Sequence, residues 1–136
     1  MRQRERELQE SIRRLISLST DHFYPVVIDV NPVPLRNRTG AVCGIKKSHA
    51  DAGVADIYVQ GPCCRGFWME VKAGTGKQSE RQKEFQRTIE AHGGKYYIVR
   101  SVEEALKACE DFCGHIGLVD RQLEKVMDTW QHAVNE

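Results

Sequence analysis

The sequence lacks an apolar run long enough to cross a membrane. A membrane-spanning helix needs about 20 consecutive apolar residues, and no segment of the 136-residue chain approaches that length. The opening MRQRERELQE has no apolar region behind its charges, as a signal peptide would have. We therefore expect a cytoplasmic protein, of a bacterium or a phage-infected cell, with no membrane partner.

A strong excess of one charge is also missing, because the formal net charge is only +1. A domain that holds nucleic acid mainly through its overall field is usually strongly basic, so the whole-chain charge gives no such argument. Four basic residues nevertheless lie between positions 29 and 51 without an acidic residue among them: Arg36, Arg38, Lys46 and Lys47. They could follow a DNA backbone, or they could form a solvated loop.

The cysteines give no disulfide framework, since there are five of them and Cys63 and Cys64 are adjacent. This count favours reduced thiols and therefore an intracellular protein. Internal repeats, low-complexity segments and flexible linkers are absent from the sequence as well. A length of 136 residues with 40% hydrophobic residues predicts one domain over residues 1 to 136, with its core at about 5 to 111.

Helical spacing of apolar residues opens the chain. Within residues 3 to 18, four apolar side chains recur among arginine, glutamate and glutamine: Leu8, Ile12, Leu15 and Ile16. Such spacing predicts an amphipathic helix. The run VVIDV at 26 to 30 predicts a strand, which the two prolines of NPVP should end. We predict a loop for residues 31 to 40.

Two β-type runs, ADIYVQ at 55 to 60 and GFWMEVK at 66 to 72, flank GPCCR and predict a hairpin. If the hairpin is symmetric about Cys63, residue 56 lies opposite residue 70. Strand alternation then gives one wholly apolar face: Ile57, Val59, Phe67, Met69 and Val71. The other face carries three ionisable groups at one end and two aromatic residues: Asp56, Glu70, Lys72, Tyr58 and Trp68. We expect the two aromatic residues to pack under the first helix, with stacking on unpaired bases as the alternative.

The second half of the chain shows a helix from Ser79 to about His92, with Ser79 and Gln82 at capping-box spacing. The segment KYYIVR at 95 to 100 predicts a strand, and a helix should follow through about residue 111. An apolar stripe predicts a C-terminal helix at about 117 to 134. This order of elements predicts an α/β or α+β domain with a mixed sheet.

The ionisable end of the hairpin has the chemistry of a metal-dependent hydrolase. A hard cation that polarises a phosphate and activates water prefers oxygen ligands, which Asp56, Glu70 and the backbone carbonyl of Val71 can supply. Lys72 would place an ammonium group beside the attacking water or the phosphate. A weak surface ion pair of Glu70 with Lys72 is the alternative.

Four segments in this order resemble the VRR-Nuc branch of the PD-(D/E)xK nuclease superfamily: GVADIYV, FWMEVKAG, GKQSERQ and KYYIVRSVEEA. The similarity runs from about residue 31 to residue 106. The resemblance implies a restriction-endonuclease-like α/β core with the order α-β-β-β-α-β. Its mixed sheet would be flanked by helices, and the C-terminal helix would be an addition to it.

The resemblance also assigns roles to residues of this chain. Asp56 matches the acidic residue after the family's Gly-x-x-Asp turn, Glu70 and Lys72 match its Glu-x-Lys, and Gln82 matches its helix glutamine. Gln82 also has a purely structural explanation as the capping partner of Ser79. The implied cofactor is Mg²⁺ or Mn²⁺.

A glutamate on the first helix near the metal is a further implication of the resemblance. Counting from the apolar positions favours Glu5, with Glu7 and Glu10 left open. The chain departs from the superfamily signature at Ala55, where proline is frequent. Alanine permits the same turn and removes no ligand.

Two more basic residues, Lys77 and Arg81, flank the start of the second helix and would face phosphates if that helix borders the site. A helix this polar would also carry such charges for solvation alone.

Together these observations predict a metal-dependent endonuclease that recognises the structure of DNA rather than its base sequence. The resemblance implies branched DNA, such as four-way (Holliday) junctions or flaps. A homodimer would supply two centres for two strands. A catalytically silent nucleic-acid-binding module and a sequence-specific restriction-type endonuclease are the alternatives.

Overall fold

A computed structural model describes residues 2–28, 33–46 and 53–135. The elements along these residues, in chain order, are α1 (Arg2–Ser19), β1 (Tyr24–Val27), β2 (Val33–Arg36), β3 (Val42–Lys46), β4 (Ile57–Gln60), β5 (Gly66–Val71), α2 (Glu80–Ala91), β6 (Lys95–Val99), α3 (Val102–Ile116) and α4 (Arg121–Asn135).

The main sheet has four strands in the order β1-β4-β5-β6. Its first three strands are antiparallel neighbours, whereas β6 runs parallel to β5. A parallel pair needs a crossover connection, and α2 supplies it. With α1 in front, the elements of this sheet follow the order α-β-β-β-α-β. The predicted mixed sheet flanked by helices is confirmed, and α3 and α4 follow it.

The predicted hairpin register is confirmed, since Tyr58 pairs with Trp68 and Gln60 with Gly66. Its apolar face is completely buried against side chains of α1 and α3: Ile57, Val59, Phe67, Met69 and Val71 pack with Ile12, Ile16, Leu106 and Phe112. Burial of one such side chain stabilises the fold by about 1.5 to 3 kcal/mol. This core holds the strands that carry the polar face.

The prediction of a loop at residues 31 to 40 was wrong for its middle part. Val33–Arg36 forms β2, which pairs with β3 in a separate two-stranded sheet. Pro34 is tolerated there because each strand of a two-stranded sheet has a free edge. The first strand also differs from the prediction, since β1 begins at Tyr24, and residues 29 and 30 lie outside the described residues.

The predicted helix ends need correction after β6. Helix α3 continues to Ile116, rather than ending near residue 111, and stops where Gly117 adopts the left-handed conformation (φ +70°). Helix α4 begins at Arg121, rather than at 117, because the Asp120 carboxylate caps it by accepting from the Leu123 N–H at 2.9 Å. In the C-terminal stripe, Leu123 is buried, whereas Val119 is exposed.

None of the helices within the described ranges combines the length and apolar character that crossing a bilayer requires.

Candidate active site

The two carboxylates meet where β4 begins and β5 ends. Asp56 directly precedes β4, and the pairing of Ile57 with Met69 sets it opposite Glu70. The N–H of Val71 donates to Oδ2 of Asp56 at 2.7 Å. Hydrogen bonding thus fixes the Asp56 side chain against the end of the neighbouring strand.

Glu70 is a wholly buried carboxylate, with 0% of its surface exposed. Its Oε1 accepts a hydrogen bond from the Tyr96 hydroxyl at 2.5 Å. Its Oε2 is buried and has no hydrogen-bond partner among the described residues. Leaving a buried polar atom unsatisfied costs about 1 to 3 kcal/mol, and more for a charged group. A cation or a hydrogen-bond donor would therefore stabilise this oxygen.

Burial raises the pKa of Asp56 to about 6. The Val71 N–H opposes the rise, whereas the negative charge of Glu70 adds to it. Lys72 also opposes it, and Glu5 of α1 adds to it, although both effects are smaller. A carboxylate pair of this kind is electrostatically unfavourable near neutral pH unless a cation joins it.

Lys72 does not supply that cation, although it is nearly buried at 8% exposure. Its Nζ donates to Oε1 of Gln82 at 2.9 Å, and no ion pair within 4.0 Å joins it to Asp56 or Glu70 in the described structure. The weak Glu70–Lys72 ion pair considered from the sequence is therefore not formed. The amino group of Lys72 is held by a neutral amide rather than by a carboxylate.

Gln82 forms the helix cap that the sequence offered as its structural explanation, and it also contacts Lys72. Its Oε1 accepts from the Ser79 N–H at 2.9 Å, while Ser79 Oγ accepts from the Gln82 N–H at 3.2 Å, which completes the capping box. The same Oε1 atom is the acceptor for Lys72. The start of α2 and the position of the lysine thus depend on one oxygen.

Of the three glutamates considered on α1, the structure brings Glu5 toward the site. A Cβ atom placed on Gly76 would lie 3.8 Å from Oε1 of Glu5 and 3.7 Å from Cδ of Lys72, so both side chains border the same loop residue. By contrast, Glu7 is exposed, and Glu10 forms an exposed ion pair within α1.

The turn before Asp56 is fixed by a close approach of two backbone segments. Gly53 has φ +88°, and a Cβ atom there would lie 2.6 Å from backbone atoms of Arg81 in the first turn of α2. Only glycine fits such a position without displacement. The Gly-x-x-Asp turn is consequently packed onto the same helix start that holds Lys72.

The donor set at this end of the sheet fits a hard divalent ion. Besides the two carboxylates, the Val71 carbonyl lies on the Asp56 side of β5, because the N–H and C=O of a strand residue point to the same edge. No three His, Cys, Asp or Glu side chains in the described part of the chain form a ready-made metal cage, so Glu5 does not complete one. Mg²⁺ commonly binds through one or two carboxylates and retains several waters, which this arrangement allows.

Tyr96 is a site residue that sequence reasoning missed. Burial, followed by its hydrogen bond to Glu70, raises the pKa of its hydroxyl, so the phenol stays protonated and donates. It lies on β6, where the parallel register pairs it with Trp68. This register places Tyr96 on the face of the sheet that carries Glu70, and no local sequence pattern indicates it.

The expectation that Tyr58 and Trp68 pack under the first helix was wrong. Trp68 contacts Phe85 of α2 edge to face, with ring centroids 5.1 Å apart, and Tyr58 contacts Trp68 at 4.9 Å. Helix α1 instead covers the apolar face of the hairpin, through Ile12 and Ile16. The polar face therefore lies under the crossover helix.

The basic residues proposed to contact DNA fall in two places. Arg36 and Arg38 are exposed on the β2–β3 hairpin, where Nη1 of Arg36 donates to the Gly40 carbonyl at 2.8 Å. Lys77 and Arg81 are exposed around the start of α2, close to the site. Lys47 and the side chain of Lys46 lie outside the described residues.

Comparison with known proteins finds similarity to a solved structure. Neither a protein-family model nor a curated protein matches the sequence. A solved structure described as "VRR_NUC domain" is similar over 78% of this chain and 94% of its own length, with 19% sequence identity and a TM-score of 0.48. Its description carries the name of the family that the sequence motifs resemble.

Proposed function

We propose that this chain is a deoxyribonuclease that depends on Mg²⁺ or Mn²⁺, with its centre at Asp56, Glu70 and Lys72. The observation that carries the proposal is the buried Oε2 of Glu70, which has no hydrogen-bond partner among the described residues. Lys72, two residues further along the chain, donates instead to Gln82. A structural ion pair would use that ammonium group to neutralise the carboxylate. A site built for a metal and a phosphate leaves both charges available.

The ion would be held by Asp56, Glu70 and the Val71 carbonyl. It would polarise the phosphate and lower the pKa of a bound water molecule. Tyr96 fixes one oxygen of Glu70 and directs the other away from itself. Gln82 holds the ammonium group of Lys72, which would stabilise the negative charge that develops on the phosphate.

We further propose branched DNA, such as four-way junctions or flaps, as the substrate, and a homodimer as the active form. The family resemblance of the motifs supports the substrate. Two symmetric cuts require two centres, which a two-fold dimer provides. The exposed arginines of the β2–β3 hairpin and the basic residues at the start of α2 would contact the phosphate backbone.

Cleavage of labelled duplex, flap and four-way junction DNA with Mg²⁺, Mn²⁺ or EDTA tests the proposal. We expect metal-dependent cleavage by the native chain and a loss of about 10²- to 10³-fold in Lys72→Ala, the range found when one charge-stabilising donor is removed. Lys83→Ala is the matched control, because Lys83 is exposed on α2 and, among the described residues, pairs with Glu80 alone. It should cleave like the native chain.

The opposite result would favour a DNA-binding module over an enzyme. Binding of these DNAs without cleavage, by the native chain and in every metal, would show that the polar face only grips phosphates. Equal cleavage by the native chain and Lys72→Ala would remove the lysine from the centre. Cleavage of one short duplex sequence alone would favour the restriction-type alternative.

A further inference from the structure

A cleft of about 440 Å³ opens at the end of the sheet opposite to Asp56 and Glu70. It lies between the β4–β5 turn, the start of β6 and the end of α3. Arg65 and Glu70 are five residues apart along the strand, which corresponds to about 17 Å at the usual rise of an extended chain. The cleft is thus separate from the candidate metal centre.

The lining of this cleft is basic. Arg65, Lys95, His92 and His115 contribute to it, and none of the described residues that line it is acidic. Nη1 of Arg65 reaches the Ile116 carbonyl at 3.5 Å, which leaves most donors of the guanidinium available. His92 donates through Nδ1 to the Thr88 carbonyl at 2.8 Å, so its Nε2 remains for a ligand. The charge of the cleft suits an anion.

The cleft also has an aromatic wall, made by Tyr58 and Trp68 with ring centroids 4.9 Å apart. A Cβ atom on Gly66 would lie 2.3 Å from the Tyr58 hydroxyl, so the glycine makes the room that the tyrosine occupies. Both aromatic side chains are half-buried, and Phe85 supports Trp68 from α2. The two rings are inclined at 58° to each other, and the exposed part of one of them can stack on a planar ring.

Aromatic surfaces next to basic side chains are the means by which proteins hold unpaired nucleotides. Stacking on a nucleobase requires a base that is not covered by its neighbours in a duplex. We propose that this cleft binds an unpaired nucleotide, with the base against Tyr58 and Trp68 and the phosphate at Arg65 and Lys95. This binding needs no metal and goes beyond the proposed cleavage.

Fluorescence of Trp68 tests the proposal directly. The chain has two tryptophans, so Trp130→Phe on α4 leaves Trp68 as the sole reporter. In EDTA, we expect single-stranded five-residue oligothymidylate to quench its emission saturably. A duplex with thymidines on one strand should not do so at the same concentration. Thymidine monophosphate in a parallel titration distinguishes a free nucleotide from a strand.

Arg65→Ala in this background should weaken the binding about tenfold, as expected for the loss of one charge-assisted contact. Arg121→Ala, an exposed arginine at the start of α4, is the matched control and should bind like its parent. If Arg65→Ala fails to fold, Lys95→Gln tests the other cation in the same way.

Tighter binding of the oligonucleotide than of the mononucleotide would identify a strand as the ligand, and equal binding a free nucleotide. Both results support the cleft. No quenching up to millimolar ligand would overturn the proposal, as would quenching unaffected by both Arg65→Ala and Lys95→Gln. Because the assay contains no metal and measures no cleavage, its outcome is independent of the proposed nuclease.

Discussion

Replacing Asp56 by asparagine should stabilise the metal-free protein at neutral pH. The pKa of Asp56 rises from its ordinary value of 3.8 to about 6 on folding, chiefly through burial. Each unit corresponds to about 1.4 kcal/mol, so ionised Asp56 costs the native state about 3 kcal/mol. Asparagine carries no charge, and its carbonyl oxygen can still accept from the Val71 N–H.

The pH dependence of this effect has a definite sign. Because the folded pKa is raised, protonation favours the native state; that contribution is complete below pH 3.8 and is lost as the pH rises through about 6. The free energy of unfolding of Asp56→Asn, relative to that of the native chain, should therefore be about 2.5 kcal/mol larger at pH 7.5 than at pH 4.

Urea unfolding in EDTA at these two pH values measures the difference. With a slope of about 1 to 3 kcal/mol per molar urea, the relative midpoint should move by about 0.8 to 2.5 M. Added Mg²⁺ should stabilise the native chain and leave Asp56→Asn unchanged. Asp128→Asn removes a carboxylate at an exposed position of α4 and is the matched control. A relative stability of Asp56→Asn that is the same at both pH values would refute the reasoning.

Three further predictions concern the residues that support the site, and two of them are paired with a comparison variant. Gly53→Ala should destabilise the fold by about 2 kcal/mol or more, because the added methyl meets the α2 backbone at a positive φ. Gly40→Ala, at φ +85° in open space, isolates the backbone strain in the same urea experiment. Tyr96→Phe removes the only hydrogen bond described for the buried glutamate and should weaken Mg²⁺ binding about tenfold, as measured by calorimetry. Gln82→Ala should lower both helix stability and cleavage, whereas Ser79→Ala should cost about 1 kcal/mol of stability alone.

Each of these expectations can fail in its own way. Equal destabilisation by Gly53→Ala and Gly40→Ala would show that the contact of residue 53 with α2 adds nothing to the backbone strain. Unchanged metal binding in Tyr96→Phe would mean that the phenol does not orient the carboxylate. Cleavage that survives Gln82→Ala would show that the lysine keeps its position without the amide.

The sequence was most informative where the structure depends on the spacing of residues that are close together in the chain. Alternation with period two fixed which residues of the hairpin face the core, and a slip of one residue would have exposed Phe67. The spacing of Ser79 and Gln82 likewise placed the start of α2, since the capping box is a local interaction. The pairing of Asp56 with Glu70 follows from the same alternation.

Features that depend on distant pairing could not be read from such patterns. Which helix covers Trp68 depends on the crossover that α2 makes between two parallel strands, and no local spacing records it. The contact of Tyr96 with Glu70 needs the register of β6 for the same reason. Pro34 misled the prediction because a strand with a free edge tolerates proline.

The oxygen that Gln82 shares between the helix cap and the lysine ties the site to local unfolding. If the first turn of α2 opens, Ser79 and Lys72 lose their common acceptor at the same moment. The population of the assembled site then equals the population in which that turn is closed. The rate of hydrogen exchange at the Ser79 amide, measured without substrate, would therefore report how often this turn opens and Lys72 loses its acceptor.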